Sequence, residues 1–226
     1  MAEALYAIFG ASGCGRGVMP LARHMLKQKG VPINRLVFVD DSPAATVVNG
    51  HRVLTYREFI ETPADRRFVA LAIANGQIRE QLRQRCQQDG LASWSVRAAN
   101  VEEMDDVVVG EGAILCSFVT LTSNIRIGRD FHANLYSYVE HDCLIGNYVT
   151  FAPGVHCNGN VVIEDHVYIG AGAILRQGKP GQPLVIGRGA VVGMGAVVTK
   201  SVPNGATVVG NPARIMKKDD NAEHKF

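Results

Sequence analysis

The stretch IGNYVTFAPGVHCNGNVVIEDHVYIGAGAIL, residues 145–175, decides the fold. Its residues Ile145, Phe151, Cys157, Ile163, Ile169 and Leu175 are all apolar and recur every six positions, a beat that fits neither an α-helix nor an alternating hairpin strand. The same frame runs back through Val139, Ala133, Ile127, Leu121, Leu115 and Val109 without a polar residue. A second series lies two residues earlier in each six, from Val107 to Ala173, and only Ser137 breaks it. Glycine follows the first series at Gly110, Gly128, Gly146 and Gly170, where a tight corner needs a residue without Cβ. After five extra residues, 179–183, the beat resumes at Ile186, Val192 and Val198. Short strands joined by corners, three sixes to a coil, make a parallel β-helix whose coils stack on one another. Coils rise by about 4.8 Å, the spacing of paired strands, and at three sixes to a coil residues 107–201 supply about five of them.

Upstream of residue 98 the pattern changes. LYAIF (5–9), LVFVD (36–40) and FVALAIA (68–74) read as buried strands. Val18 to Lys29, ended by Gly30, and Gln77 to Gln88, stopped by Gly90, read as helices. A strand, a glycine loop, a helix and a second strand form a βαβ unit with a parallel sheet. The chain therefore divides into an α/β, Rossmann-like unit at 1–97 and a β-helix with a short tail at 98–226.

Bulk composition narrows the classes. Of 226 residues 47% are hydrophobic, which is ordinary for a packed core. A net charge of +2 with no long basic run argues against nucleic acid or an anionic membrane as partner. No stretch approaches the roughly 18–20 apolar residues of a membrane span, and the opening MAEALYAIFGASG lacks the features of a signal peptide. The five cysteines, Cys14, Cys86, Cys116, Cys143 and Cys157, show no CxxC spacing, so free thiols in a reducing compartment are expected and no metal site. The expectation is a soluble cytoplasmic protein.

GASGCGRG, residues 10–17, follows the first strand and opens the first helix. Backbone N–H groups at a helix N-terminus hold anions without a charged side chain, and glycine lets the backbone approach closely. The order Gly10, Gly13, Gly15, Gly17 does not give the GxGxxG of a redox dinucleotide site, although Asp40 ends the second strand where a ribose-gripping acid would stand. Fewer than 100 residues before the repeat leave little room for a second mononucleotide half. One nucleotide diphosphate fits the size better; a purely structural glycine turn is the alternative.

In the repeat, His132, His141, His156 and His166 are the side chains able to act as a base near neutral pH; His24, His51 and His224 lie elsewhere. His141 stands between Glu140 and Asp142, and an adjoining carboxylate raises imidazole basicity. His132 and His156 read as corner residues bonded to neighbours.

GASGCGRG (10–17), VDD (39–41), AIAN (72–75), HANLYSYVEHDCLIG (132–146), GNVVI (159–163), GMGAVVTKSVP (193–203) and GNPAR (210–214) together resemble the PglD/NeuD-like sugar N- and O-acetyltransferases. The chain is most similar to the group within that family that acetylates GDP- or UDP-linked 4-amino-4,6-dideoxy sugars. The resemblance covers residues 5–216 and implies that the β-helix is left-handed. It implies His141 as proton acceptor, with Asp142 increasing its basicity and Glu140 a lesser candidate. It places the nucleotide sugar near Ser12, Gly13, Cys14, Asp40 and Asp41, walled by Ala74 and Asn75. Acetyl-CoA is the implied acyl donor, with contacts at Thr150, Gly159, Ala171 and Met194. Thr150 stands where the family has a histidine, Met194 where it has a glycine, and Cys14 where it has histidine or an aromatic residue. Lys200, Arg214, Lys217 and Lys218 are candidates for the donor's phosphates. The family also implies a homotrimer with the donor between neighbouring β-helices, and a role in surface polysaccharide or glycan biosynthesis. Two alternatives remain open: O-acetylation of a sialic-acid-type sugar, and a non-catalytic trimeric scaffold that binds nucleotide sugar.

Overall fold

A computed structural model describes residues 4–216 of the chain. Its first part runs β1 (Leu5–Phe9), α1 (Gly13–Gln28), β2 (Leu36–Val39), β3 (Val47–Val48), β4 (His51–Leu54), α2 (Tyr56–Glu61), β5 (Arg67–Leu71), α3 (Gly76–Gln88) and β6 (Ala92–Ser93). The sheet order is β3-β4-β2-β1-β5-β6, parallel throughout except for the β3–β4 pair. β1 is the central strand and nearly all of it is buried, as its uninterrupted apolar run requires when both faces are covered. From β1 the chain moves outward to β2 and β4, then returns to β5 on the other side of β1. The reversal of order therefore falls between β1 and β5.

Helix α1 starts at Gly13, ahead of the Val18 that the sequence pattern suggests, so most of the glycine stretch lies inside its first turns. Two of the glycines are required by the fold. Gly10 turns the chain with φ +102°, and a Cβ on Gly15 would fall 1.8 Å from the Gly10 carbonyl oxygen. Helix α2 has no counterpart among the elements that the sequence pattern suggests. It is short and fixed by a capping box between Thr55 and Glu58 rather than by hydrophobic periodicity.

From Val96 the chain winds into a triangular prism of parallel strands. Face A carries Val96–Arg97, Ile114–Leu115, His132–Ala133, Thr150–Phe151, Tyr168–Ile169, Val191–Val192 and Thr207–Val209, closed by an antiparallel Arg214–Ile215. Face B runs from Glu102–Glu103 to Val197–Val198, and face C from Val107–Val109 to Leu184–Ile186. The register confirms three sixes per coil, since Ile114 pairs with His132 and His132 with Thr150. The five extra residues make one coil longer, so that Ile163 pairs with Ile186. The first apolar series points inward from Leu115 to Leu175 and packs with the second series as one core. Each Val, Leu or Ile fully buried there contributes about 1.5–3 kcal/mol. Ser137, the polar exception, is satisfied inside: its hydroxyl donates to the Ala152 carbonyl and accepts from the Val155 N–H.

The corners obey the same count. Backbone in the left-handed region recurs every sixth residue at Asp106, Gly112, Phe118, Asn124, Asp130, Tyr136, Asp142, Tyr148, Gly154, Asn160, His166 and Gly172. The glycines that follow the inward series serve a different need. A Cβ on Gly128 or Gly146 would strike the adjacent coil within 2.8 Å.

The two parts are joined through α3. Arg79 and Arg83, one turn apart, are fully buried. Arg83 makes a bidentate pair with Asp130 (2.8 and 3.0 Å). Arg79 donates to the carbonyls of Ile73 and Ala74 in the first part and to those of Asp130 and Val149 in the prism. Burial lowers the Arg79 pKa to about 10. The polar appearance of this helix suggests a solvated face; its arginines instead form the joint.

Candidate active site

His141 and Asp142 sit on edge BC, between Tyr138–Val139 of face B and Leu144–Ile145 of face C. Asp142 takes the left-handed corner conformation (φ +58°), which short Asx side chains tolerate. That turn brings the Asp142 Oδ2 to 2.8 Å from the His141 Nδ1. Both side chains remain open to solvent, at 44% and 48%. Hydrogen bonding to Asp142 raises the His141 pKa and lowers that of Asp142. With Nδ1–H donating to the carboxylate, Nε2 carries the lone pair and is free to accept a proton. A base, and the group that stabilises its charged form, are thus assembled from consecutive residues.

Gly159 lies one coil above His141. A Cβ there would fall 2.6 Å from the imidazole Cε1 and Nε2, so the space left by this glycine is filled by the His141 ring. Glu140 is half-buried beside the pair and contributes to the raised His141 pKa less than Asp142 does.

The crevice between β1 and β5 collects the other group. Ligands of open parallel sheets bind beyond the carboxyl ends of the strands where strand order reverses. Ser12 with Gly13 and Cys14 of the first turn of α1 lies there after β1, and Ala74 and Asn75 in the loop after β5. Ser12 precedes α1 and caps it with no side-chain bond, so the first-turn N–H groups have no partner from it. A Cβ on Gly13 or Gly17 would meet nothing, so the fold does not require those two to be glycine. Burial pushes the Cys14 thiol pKa up. Asp40 accepts from the N–H groups of Ala11 and Ser42, holding the glycine turn. Asp41 accepts from the Tyr56 N–H at the start of α2 and pairs with Arg85 at 3.3 Å. Asn75 caps α3 through the N–H groups of Gln77 and Ile78.

Thr150 lies on face A, not near edge BC. It is 6% exposed, and its hydroxyl donates to the Ala74 carbonyl at 2.8 Å. Its donor capacity is therefore already used to pin the loop after β5. Ala171 and Met194 sit on edge AB, both exposed. Lys200 and Arg214 are exposed near the last coil; Lys217, Lys218 and His224 lie outside the described residues.

The other histidines differ from what their sequence positions suggest. His132 is a strand residue on face A rather than a corner, buried under the first part, and its Nε2 has no partner. Burial holds its pKa well below the ordinary imidazole value. His156 is likewise no corner but a strand residue of face B, stacked on Tyr138. His166 is a corner residue stacked on Tyr148, with its Nε2 3.1 Å from Glu80. Among the described residues no group of three or more His, Cys, Asp and Glu side chains could hold a metal ion, and no helix is long and apolar enough to cross a membrane.

Comparison with known proteins identifies the relatives of the chain. A family model described as the hexapeptide repeat of succinyl-transferase matches residues 160–200. GDP-perosamine N-acetyltransferase of Escherichia coli O157:H7 is 50% identical over 214 residues, 95% of this chain and 97% of that protein. The solved structure of WeeI from Acinetobacter baumannii AYE matches with a TM-score of 0.92 at 54% identity, over 95% of this chain and 100% of that one. The acetyltransferase domain of PglB from Neisseria gonorrhoeae FA1090, solved in complex with acetyl coenzyme A, gives a TM-score of 0.82 at 26% identity, over 96% and 100%.

Proposed function

Because the chain belongs to the hexapeptide-repeat sugar acetyltransferase family that includes GDP-perosamine N-acetyltransferase, we propose that it moves an acetyl group from acetyl-CoA to the C4 amine of a nucleotide-linked 4-amino-4,6-dideoxy sugar. The relative's substrate makes GDP-perosamine the first acceptor to try, ahead of UDP-linked sugars. The observation that carries the proposal is the His141–Asp142 pair, a solvent-open imidazole whose free nitrogen is made more basic by a carboxylate 2.8 Å from the other nitrogen.

An ammonium has no lone pair, so the acceptor must lose a proton to attack. His141 Nε2 takes that proton, and Asp142 stabilises the imidazolium that results. The donor, when bound, supplies an acetyl carbonyl activated by its thioester. The freed amine attacks it, the C–N bond forms as the C–S bond breaks, and the thiolate of CoA leaves, taking up the proton held on His141. The residues 1–97 form a Rossmann-like unit that holds the nucleotide diphosphate over the first turn of α1. Its support is the uncapped helix start at the strand-order reversal and the bare Gly13 and Gly17. The second unit, assigned to residues 98–226 with a short C-terminal tail, is a left-handed β-helix that carries the base and the donor. A Cβ on Gly172 would meet open space, so edge AB beside Ala171 offers an unobstructed backbone to an extended arm.

His141 lies on edge BC, the donor candidates Ala171 and Met194 on edge AB, and the crevice above face A. These lie on different sides of one prism, and the proposed homotrimer would set neighbouring prisms edge to edge to bring them together. Face C supports this, for Val108 and Leu144 are more than half exposed on a flat apolar surface. We place the enzyme in the cytoplasm, where acetyl-CoA and nucleotide sugars are made, and its product in surface-glycan biosynthesis.

The test is thiol release from acetyl-CoA with a panel of GDP-, UDP- and dTDP-linked 4-amino sugars. Acceptor-dependent release is expected, and His141→Ala lowers kcat by about 10²–10⁴-fold, the usual contribution of a general base. No release with any member of the panel, or a His141→Ala kcat within about threefold of wild type, contradicts the proposal.

A further inference from the structure

Edge BC carries an unbroken column of Asx residues, one per coil: Asp106, Asn124, Asp142 and Asn160, all with left-handed backbone (φ 55–58°). The acids and amides alternate. Asp106 is turned away to Arg126, whose single Nη2 donates to both of its carboxylate oxygens (2.8 and 3.0 Å). Asn124, one coil below Asp142, directs its Nδ2 to the Asp142 Oδ1 at 3.3 Å, while the Asp142 Oδ2 engages His141. The backbone holds the rungs in step, since the Asp142 N–H donates to the Ser123 carbonyl and the Asn160 N–H to the His141 carbonyl.

We infer that Asn124 is a positioning residue for the base: its amide holds one oxygen of Asp142 so that the other stays on His141 Nδ1. A carboxylate on a solvent-open corner otherwise has free rotation about its terminal torsion, and 48% of the Asp142 side chain is open. The hydrogen bond from Asn124 also favours the ionised form of Asp142. The uncharged rung has a second effect. An acid at position 124 would place three carboxylates in a row, Asp106 already engaged by Arg126 and Asp142 by His141. The remaining groups facing the pair are Glu140 on the same edge, the Cys143 thiol, which donates toward the His141 carbonyl, and the uncharged Gly159 and Asn160 above.

This inference rests on His141 being the base, so the experiment separates the two. Asn124→Gly removes the amide while keeping a residue suited to positive φ, and Asn124→Asp replaces it with a charge. The His141 titration is followed by NMR of ¹³C-labelled histidine in the whole enzyme, and the acid limb of kcat/KM against pH is measured in parallel. In Asn124→Gly both the imidazole pKa and the acid limb move down, with kcat lowered about three- to tenfold and KM for either substrate little changed. In Asn124→Asp both move up. A role confined to folding would lower the melting temperature and leave the imidazole pKa in place. An imidazole pKa identical in wild type and both variants overturns the inference. Shifted imidazole pKa values with an unmoved acid limb leave the hydrogen-bond chain standing and overturn His141 as the base, and with it the positioning role.

Discussion

Asp130 and Asp142 stand two hexapeptides apart at equivalent corners of the prism, with the same left-handed backbone (φ 51 and 58°). Asp130, on edge CA, is covered by α3, fully buried and locked to Arg83. Asp142, on edge BC, stays half open to solvent and turns its carboxylate to a neighbouring imidazole. The repeat supplies both with one geometry, and what packs outside the corner decides what each carboxylate does. Under the first part of the chain it becomes a joint. In the open it tunes a base.

That contrast predicts effects of different kind. The largest on stability comes from Arg83→Ala, which leaves the Asp130 charge buried and unpaired and costs about 3–5 kcal/mol in denaturant unfolding. The kcat per folded chain stays at the wild-type level. Loss of kcat without loss of stability would reverse the roles assigned to the two edges.

On the open edge the order of effects is inverted. Gly159→Ala puts a methyl 2.6 Å from the imidazole and turns the ring away from Asp142. Steady-state kinetics should show kcat lowered by about 10–100-fold, with the melting temperature nearly unchanged. An unaltered kcat would mean that the ring does not need the position it holds over this glycine.

The smallest effect comes from His132, beneath the first part. Its pKa is depressed in the folded protein, so the unfolded chain binds a proton that the folded one does not. Its contribution to stability is present above the ordinary imidazole pKa, near 6.5, and is lost as pH falls toward the folded value. Comparing unfolding free energies at pH 7.5 and 5.5, His132→Asn should show a shallower decline than wild type, by about 1 kcal/mol. Parallel declines would contradict the burial of a neutral ring there.

The two edges also differ in how legible they are in the sequence. His141 and Asp142 are adjacent in the chain, and the six-residue beat places them at a corner, so the residue order alone exposes the open edge. The joint is hidden. Arg83 and Asp130, like Thr150 and Ala74, meet across tens of residues, and nothing in a polar helix announces that two arginines on it are buried. Gly159 is an intermediate case. Its lack of a side chain is evident, but that the base fills the space follows only from stacking one coil on the next. The glycine stretch reads as a loop because glycine disfavours helix interiors. Close packing of α1 against the turn after β1 overrides that preference at Gly15.

Asp142 makes His141 a stronger base by holding its Nδ1, and on this the proposed chemistry depends. The most direct measurement is the pH dependence of kcat/KM for wild type and Asp142→Asn. The expected result is an acid limb above about pH 6.5 in wild type, moved to lower pH in the variant together with a fall in kcat. An acid limb that stays in place when the carboxylate is removed contradicts it.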